Sequence, residues 1–437
     1  MEPLVIGYLS LAAIGLAVYG GVHVAIALSG ISLLGVWAIT GKLKLAVSFV
    51  ALAAIDSIAD YVFGAVPLFV LMGLVVSESG LGRDTFAVVS RALRGVRGGL
   101  GIATVISNAI FAAITGITIA SAAVFAKVAV PEMVRAGYDR QLAVGVVAGS
   151  SVLGMLIPPS LLLILFAVLT DSSIGELFLG GVGPGLLLAA AYCVYLAVLG
   201  WRRPERFGTI TAEPAGTEPA GGAPARLLLP VVGLAGAVLG GIYTGFFTPT
   251  EAGAVGAFLA LAVALVLRRL DAAAAWRVAV QTGHVTAAVC FLIIGASIYG
   301  RMLAFSGVPA ALTEAAIGSG VGPYGFLLLF AALLVALGTV LDAGSIMLVT
   351  VPLAYPIARD LGIDPVHLGV VTVLAVEVGL LTPPLGLSVF VVQSSLKDEG
   401  VGLGEVFRGA VPFAVVMAGV LVIVVLFPPV VLAILGR

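Results

Sequence analysis

Charged side chains are scarce in this sequence. Asp, Glu, Lys and Arg make up 10% of the 437 residues, whereas 61% of the residues are hydrophobic. Soluble globular proteins carry about 25% charged residues, and a surface this poor in charge could not be hydrated by water. The mean hydropathy of +1.24 and the 57 glycines, which allow membrane helices to approach closely, agree that lipid is the solvent. The composition therefore predicts an all-α polytopic membrane protein.

Cysteine and histidine are also scarce, which excludes several classes of site. The two cysteines, Cys193 and Cys290, lie in apolar runs and show neither a disulfide framework nor metal-ligand spacing. The three histidines, His23, His284 and His367, are scattered, and we interpret them as packing or loop residues. With a net charge of −1 and no basic tract, nucleic acid is not an expected partner. No HExxH, GxSxG or paired intramembrane acids occur, so the sequence does not predict an enzyme.

Apolar runs indicate where the chain crosses the bilayer, since a crossing helix needs about 20 apolar residues. The N-terminus lacks a basic region before its apolar run, so we read it as a first membrane segment and not as a cleaved signal. Candidate spans are 4–39 (one long segment or two short ones), 44–56 (short for a crossing), 60–78, 177–200, 227–243, 252–268, 276–299 and 409–435. Four further apolar regions are interrupted by Gly, Pro and hydroxyl residues: 100–134, 141–169, 323–357 and 365–393.

Basic residues indicate the orientation, because Lys and Arg in short loops remain in the cytoplasm. Arginines cluster at 80–99, 201–226 and 268–277, whereas 170–178 and 246–253 carry acids without bases. Segment 141–169 then runs outward, 177–200 inward, 227–243 outward and 252–268 inward. The expected divisions are N-terminal scaffold helices (1–99), a first transport repeat (100–200), a cytoplasmic linker (201–226, low-complexity at 208–225), scaffold helices with an arm (227–322) and a second transport repeat (323–437).

An internal repeat relates the two halves. Four motifs recur in order: GITIAS at 116–121 with GTVLDAGS at 338–345, Gly137-Tyr138-Asp139 with Gly362-Ile363-Asp364, Pro158-Pro159 with Pro383-Pro384, and Glu176-Leu177-Phe178 with Glu405-Val406-Phe407. Flanking charges indicate that the first hairpin region, 100–134, enters from the cytoplasm and the second, 323–357, from outside. The sequence therefore predicts an inverted repeat, which is typical of transporters.

Each proline pair removes two backbone donors and is expected to break its helix, although one pair alone could be a kink around a neighbouring helix. Freed backbone groups are tolerated at membrane depth only where something polar occupies the gap. The hairpin tips place oxygen-bearing side chains beside glycines: Thr118 and Ser121 near Gly116, and Thr339, Asp342 and Ser345 near Gly338 and Gly344. A carboxylate at Asp342 costs about 2.5–3.5 kcal/mol on insertion scales, which a Na⁺ ion would offset. Glu377 is either a similar case or an interface or loop-cap residue.

Several motifs resemble one known family. The segments 66–84, 98–116, 241–261 (GIYTGFFTPTEAGAVGAFLAL), 337–358 and 361–392 are similar to the large membrane subunit of TRAP (tripartite ATP-independent periplasmic) transporters, over nearly the whole chain and in the same order. The resemblance implies two re-entrant helical hairpins and two broken helices in an elevator-type ion-coupled transporter fold.

The resemblance also implies two sodium sites. The first would involve Gly116, Thr118, Ser121, Ser150, Ser151 and Gly154, and the second Gly338, Thr339, Asp342, Gly379, Thr382 and Pro383. We assign Pro158, Pro159, Ser345 and Pro384 to substrate binding. The sequence departs from the family pattern at the first tip, which lacks an acid, and after Asp342, where Ala343-Gly344 replaces a common proline.

The implied function is Na⁺-driven uptake of a small carboxylate across a bacterial or archaeal cytoplasmic membrane, with no organic cofactor. The implied partners are a small TRAP membrane subunit and a periplasmic substrate-binding protein. The loop TPTEAG (248–253) could shape the outer face, or serve as a helix start capped by Thr250. The alternative function is a stand-alone sodium- or proton-coupled anion symporter of the same broad superfamily. A scaffold or receptor would not require two interrupted, inverted helix pairs, and the sequence does not identify the acid.

Overall fold

The computed structural model describes residues 2–59, 61–93, 95–208, 225–384 and 386–437, and these residues form helices and no strand. Most of the predicted low-complexity segment, at 209–224, lies outside the described residues. Among the described residues, five helices are long and apolar enough to cross a membrane, or six if one bent pair counts as a span. The chain is therefore a multi-pass membrane protein, as its composition predicts.

The N-terminal helices are α1 (Pro3–Tyr19), α2 (Val24–Thr40), α3 (Leu43–Ala59), α4 (Ala65–Glu78) and α5 (Leu81–Ala92). The region 4–39 is thus two helices, separated where Gly21 adopts a positive φ of 84°. Helices α4 and α5 form the bent pair, at 61°. The bend falls at Gly80, whose φ of 76° is a conformation that glycine adopts without steric cost.

The first repeat contains α6 (Gly99–Thr115), α7 (Thr118–Arg135), α8 (Arg140–Ser151), α9 (Leu153–Leu156), α10 (Leu161–Thr170) and α11 (Ile174–Arg202). Helices α6 and α7 form hairpin 1. The sequence of α8 to α10 is the first broken helix, interrupted at Pro158-Pro159, as predicted.

Four helices connect the repeats: α12 (Leu229–Tyr243), α13 (Pro249–Val266), α14 (Ala272–Ser306) and α15 (Val308–Gly318). Helix α13 starts with a capping box between Thr248 and Glu251, so the prediction that Thr250 is the cap is wrong. Pro249 fits the first helical position, where its missing N–H costs nothing, and this shifts the cap one residue upstream of the proline. Helix α14 has 35 residues and is about 52 Å long at 1.5 Å per residue, so it must tilt strongly or extend beyond the bilayer.

The second repeat contains α16 (Pro323–Gly338), α17 (Ala343–Asp360), α18 (Pro365–Leu381), α19 (Leu387–Ser395), α20 (Leu403–Leu426) and the short α21 (Pro429–Leu432). Helices α16 and α17 form hairpin 2, and α18 with α19 is the second broken helix. The predicted span 409–435 is misplaced, because the helix begins at Leu403 and ends before Pro428-Pro429, which cannot continue it.

The same junction joins hairpin to broken helix in both repeats. Gly137 and Gly362 both have positive φ, 86° and 73°. Asp139 caps α8 by accepting a hydrogen bond from the backbone N–H of Gln141 at 3.1 Å, and Asp364 caps α18 by accepting one from Val366 at 2.7 Å. The recurring Gly-x-Asp motif is therefore a helix end followed by a helix start.

Each broken helix packs one half against the hairpin of its own repeat and the other half against the hairpin of the other repeat. Helix α8 packs on α6 and α7 of its own hairpin, and α18 packs on α16 and α17 of hairpin 2. Beyond the breaks the partners change, since α10 packs against α17 and α19 packs against α7. Each hairpin thus contacts both broken helices, which joins the repeats into one packed unit.

Ion pairs connect arginines of the predicted cytoplasmic segments to acidic residues at helix ends. Arg277 pairs with Glu78 at 2.5 Å, and Arg269 pairs with Asp84. In the same way, Arg206 of the predicted cytoplasmic linker pairs with Asp139 at 2.6 Å, beside the start of α8.

At each end of the packed unit, an arginine also joins the repeats. Arg140 binds Glu405 through two hydrogen bonds of 2.9 and 2.8 Å, at the starts of α8 and α20. Arg437 binds Glu176 at 2.8 Å and Asp364 at 3.2 Å, at the starts of α11 and α18. The opposed placement of these pairs is the one that an inverted repeat requires.

The orientation predicted from the arginine clusters can be tested by cysteine labelling. In a chain carrying Cys193→Ala and Cys290→Ala, we expect Phe246→Cys to react with a membrane-impermeant maleimide on intact cells and Trp201→Cys to react only after lysis. Both side chains are well exposed on the protein, at 79% and 76%, and they lie at helix ends that the arginine clusters predict to be on opposite sides of the membrane. The reverse pattern would contradict the orientation.

Close packing of α8 on α20 gives a second prediction. A Cβ atom at Gly409 would collide with the backbone of Gln141 and Gly145, whereas one at Gly419 on the same helix meets nothing within 4 Å. We expect Gly409→Ala to destabilise the protein by about 1–3 kcal/mol, as overpacking does, and Gly419→Ala to change stability by less than about 0.5 kcal/mol. Thermal unfolding in detergent measures both, and equal melting temperatures would contradict the prediction.

Candidate functional site

The tip of hairpin 1 lies directly against the first helix break. Gly116 is the C-cap that follows α6, with a φ of 63°, and a Cβ atom there would collide with the carbonyl oxygen of Pro159. The backbone N–H of Leu161 donates a hydrogen bond to the carbonyl of Gly116 at 3.3 Å. A backbone hydrogen bond therefore joins the hairpin tip to the helix break, and position 116 has room only for glycine.

Three more residues of the predicted first ion site meet at this tip. The Cβ position of Gly154 would lie 3.1 Å from the carbonyl oxygen of Ile117 and 3.2 Å from the backbone nitrogen of Thr118. Thr118 and Ser121 are buried on the first turn of α7, and the hydroxyl of Ser121 has no hydrogen-bond partner among the described residues. The structure thus gathers Gly116, Thr118, Ser121 and Gly154.

Ser150 and Ser151 lie one turn away, at the end of α8, and their hydroxyls are engaged within that helix. Ser150 donates to the carbonyl of Val146 at 2.7 Å, and Ser151 donates to that of Ala148 at 2.8 Å. Ser150 also accepts a hydrogen bond of 2.7 Å from the side-chain amide of Asn108. Their side chains are therefore less available to a ligand than that of Ser121.

Sequence reasoning missed Asn108 and Ser107 on α6. Both are fully buried, and Asn108 Oδ1 and Ser107 Oγ have no partner within the part of the chain that the structure describes. The available signal was a pair of adjacent polar residues in the middle of a mostly apolar helix, GLGIATVISNAIFAAIT, since buried polar atoms are normally hydrogen-bonded.

The predicted second ion site is built on a crossing of two glycines. The Cβ position of Gly338 would lie 2.7 Å from the Cα atom of Gly379, so α16 and α18 touch backbone to backbone. Thr339 and Thr382 donate their hydroxyl protons to the carbonyls of Ala336 and Val378, both at 2.8 Å. In the described structure no hydrogen bond joins Thr382 to hairpin 2.

Asp342 is the N-cap of α17 and is exposed. Its carboxylate accepts a hydrogen bond from the backbone N–H of Ser345 at 3.0 Å and another from the Ser345 hydroxyl. Asp342 therefore lies at a helix start, where the partial positive charge favours a carboxylate, and the protein does not enclose its side chain.

The residues assigned to substrate binding have different surroundings. Pro158 and Pro159 are buried, whereas Pro383 and Pro384 are exposed. Ser345 is buried and bonded to Asp342. The first break is thus enclosed by protein, and the second is open to the surroundings of the chain.

One hydrogen bond joins hairpin 1 to the opposite repeat. Thr118 Oγ1 donates to Glu377 Oε1 of α18 at 3.2 Å, and Glu377 is fully buried. Its other oxygen, Oε2, has no partner among the described residues.

Four helices begin at the tips and breaks: α7, α10, α17 and α19. Helix N-termini carry a partial positive charge and unpaired N–H groups, which favour anions. Four others, α6, α9, α16 and α18, end there and present carbonyl oxygens, which suit cations.

Two inverted hairpins facing two broken helices place the protein in the class of membrane transporters built from inverted repeats. Within that class, residues 11–430 match the family model of the tripartite ATP-independent periplasmic transporter, DctM component, and the chain belongs to this family.

Individual relatives agree with this membership. The chain is 34% identical over 384 residues to the C4-dicarboxylate TRAP transporter large permease protein DctM of Pseudomonas aeruginosa, covering 88% of each chain. It is 31% identical over 387 residues to the sialic acid TRAP transporter large permease protein SiaM of Vibrio cholerae, covering 87% of this chain and 88% of the relative. The fold is similar to the crystal structure of the Alcanivorax borkumensis YdaH transporter, with a TM-score of 0.66, 15% identity and 88% of each chain covered.

The cap at Asp342 allows its charge to be tested separately from its hydrogen bonds. Asn caps helices about as well as Asp, so Asp342→Asn should unfold at an unchanged temperature without Na⁺, whereas Asp342→Ala should lose about 1 kcal/mol of stability. If the carboxylate binds a cation, both variants should lose the part of the stabilisation by NaCl that comes from the second site. Asp271→Asn, a cap on α14, is the control and should respond to NaCl like the wild type. A normal response of Asp342→Asn would remove Asp342 from the site.

Proposed function

We propose that this chain is the large membrane subunit of a TRAP transporter that imports a small organic acid, driven by Na⁺, across a cytoplasmic membrane. The observation that carries the proposal is the meeting of helix starts and helix ends at the hairpin tips and breaks. In a low-dielectric interior such ends can attract both an anion and a cation, which is what coupled uptake of a carboxylate requires.

The carboxylate class is supported by the chemistry of these helix starts. The N-terminus of α19 follows Gly386, which offers no side-chain cap, and its backbone N–H groups are therefore available for an anion. Relatives named for C4-dicarboxylates and sialic acid transport molecules that carry at least one carboxylate. The exposed second break, at Pro383 and Pro384, is the opening through which such a substrate would approach.

Sodium coupling is supported by buried oxygen atoms near the tip of hairpin 1 that have no hydrogen-bond partner in the described part of the chain. Ser121 Oγ and Glu377 Oε2 are such atoms, and an alkali cation needs oxygen ligands of this kind. The first predicted site, at Gly116, Thr118, Ser121, Ser150, Ser151 and Gly154, gains more support from these contacts than the second.

Elevator movement is supported by the exchange of half-helices between the repeats. Because each hairpin packs on both broken helices, the hairpins cannot move far independently of one another, and a rigid-body displacement of the whole unit is the simplest alternating-access motion. We further propose a small membrane subunit packed on the scaffold helices and a periplasmic binding protein that delivers the substrate at the outer face.

Uptake into proteoliposomes tests this function. The chain would be reconstituted with a small membrane subunit and a periplasmic binding protein of the same organism, and uptake of radiolabelled succinate and sialic acid would be measured. We expect an inward Na⁺ gradient to raise the initial rate for at least one substrate by at least tenfold over equal Na⁺ or choline.

Two results would refute parts of the proposal. An initial uptake rate that does not change with the Na⁺ gradient, with all partners present, would refute sodium coupling. Equal uptake without the binding protein and the small subunit would favour the stand-alone symporter, and liposomes without the chain give the background rate.

A further inference from the structure

Glu377 is an acid that the fold does not require. Six residues before each proline pair lie Val152 in the first repeat and Glu377 in the second, and both side chains are fully buried. Since valine packs at this position in one repeat, packing alone does not explain a carboxylate in the other.

The surroundings of Glu377 leave its charge uncompensated by protein. Among the described residues no Lys, Arg or His forms an ion pair with it. One hydroxyl, that of Thr118, donates to Oε1 at 3.2 Å, and Oε2 has no donor. Burying an unpaired carboxylate is costly, so ionised carboxylates inside proteins are normally paired or bound to cations.

The hydroxyl that is hydrogen-bonded to Glu377 belongs to the tip of hairpin 1. Thr118 contacts Glu377 directly, and Ser121 lies three residues further along α7, on the same helix face. The Ser121 hydroxyl is fully buried and also without a partner in the described structure. A carboxylate and two hydroxyls are hard oxygen ligands, the type preferred by cations that bind through oxygen.

Hairpin 1 has no acid of its own near this position. Its tip reads Gly-Ile-Thr-Ile-Ala-Ser from 116 to 121, and the nearest acid within the hairpin is Glu132, which pairs with Arg135 near the end of α7. Glu377 is therefore the carboxylate placed to give this tip a negative charge.

We propose that Glu377, reaching across from the second repeat, is the anionic ligand of the cation site at hairpin 1, where it holds Na⁺ together with Thr118 and Ser121. This inference rests on the sodium coupling proposed above. It has a mechanical consequence, because a cation held jointly by α7 and α18 ties hairpin 1 to the second broken helix. Binding of Na⁺ at the first ion site would then affect the position of the second repeat, which contains the second ion site.

The test measures Na⁺ binding to the full-length chain in lipid nanodiscs. Thermal unfolding is followed across a NaCl titration with choline chloride keeping the ionic strength constant, since a cation that binds only the folded state raises its stability. Glu377→Gln preserves size and an acceptor for Thr118 but removes the charge. We expect its half-saturating NaCl concentration to rise at least tenfold, while its melting temperature without Na⁺ equals or exceeds that of the wild type.

Matched variants separate binding from folding. Glu405→Gln removes an acid outside the site, in the pair with Arg140, and should lower the melting temperature without changing the half-saturating concentration. Thr118→Val should weaken Na⁺ binding, and Thr118→Ser should restore it because the hydroxyl is retained.

The outcomes distinguish the two proposals. If the wild type responds to NaCl and Glu377→Gln responds equally, the role of Glu377 is overturned and sodium coupling stands. If the wild type does not respond to NaCl, sodium coupling is refuted and this inference falls with it. If Glu377→Gln keeps its NaCl response but loses a pH dependence of uptake seen in the wild type, Glu377 binds a proton and the inference is overturned.

Discussion

Backbone groups freed inside an apolar structure must find partners, and the arrangement of both repeats depends on this constraint. At hairpin 1 the carbonyl of Gly116 accepts a hydrogen bond from Leu161, the first residue of α10, so the hairpin tip and the helix break satisfy one another. At hairpin 2 the backbones of Gly338 and Gly379 touch. Without its break, hairpin 1 would leave the Gly116 carbonyl without this donor, whereas the position of hairpin 2 on α18 is fixed by the close contact of the two glycines.

The same constraint makes the two repeats a single unit while leaving them chemically different. Their half-helices exchange partners, with α10 on hairpin 2 and α19 on hairpin 1. Yet the first break is buried and the second exposed, and only the second repeat has an acid six residues before its prolines. Architectural symmetry thus supplies matching helix ends, and the departures from symmetry leave the first break enclosed by protein and the second open.

The sequence predicts those features that local chemistry determines. Proline pairs locate both breaks, and the Gly-x-Asp motifs locate both hairpin junctions, because φ above zero and side-chain capping are properties of single residues and near neighbours. Local sequence patterns do not predict contacts between distant parts of the chain: the hydrogen bond from Thr118 to Glu377 joins residues 259 positions apart. Local prediction also failed where two candidates compete over a few residues, as in the choice of Thr248 over Thr250 as the cap of α13.

The comparison of Asp342 with Glu377 shows why burial must be established before a cation is inferred from an acid in an apolar stretch. Asp342 lies in an apolar stretch of sequence, but it is exposed, and it caps α17 by accepting hydrogen bonds from the backbone N–H and the hydroxyl of Ser345. Glu377 is fully buried and, among the residues that the structure describes, has one hydrogen-bond donor for its two carboxylate oxygens. The proposed cation therefore belongs at the junction of hairpin 1 with the opposite repeat, where its binding would couple the two halves of the proposed transport unit.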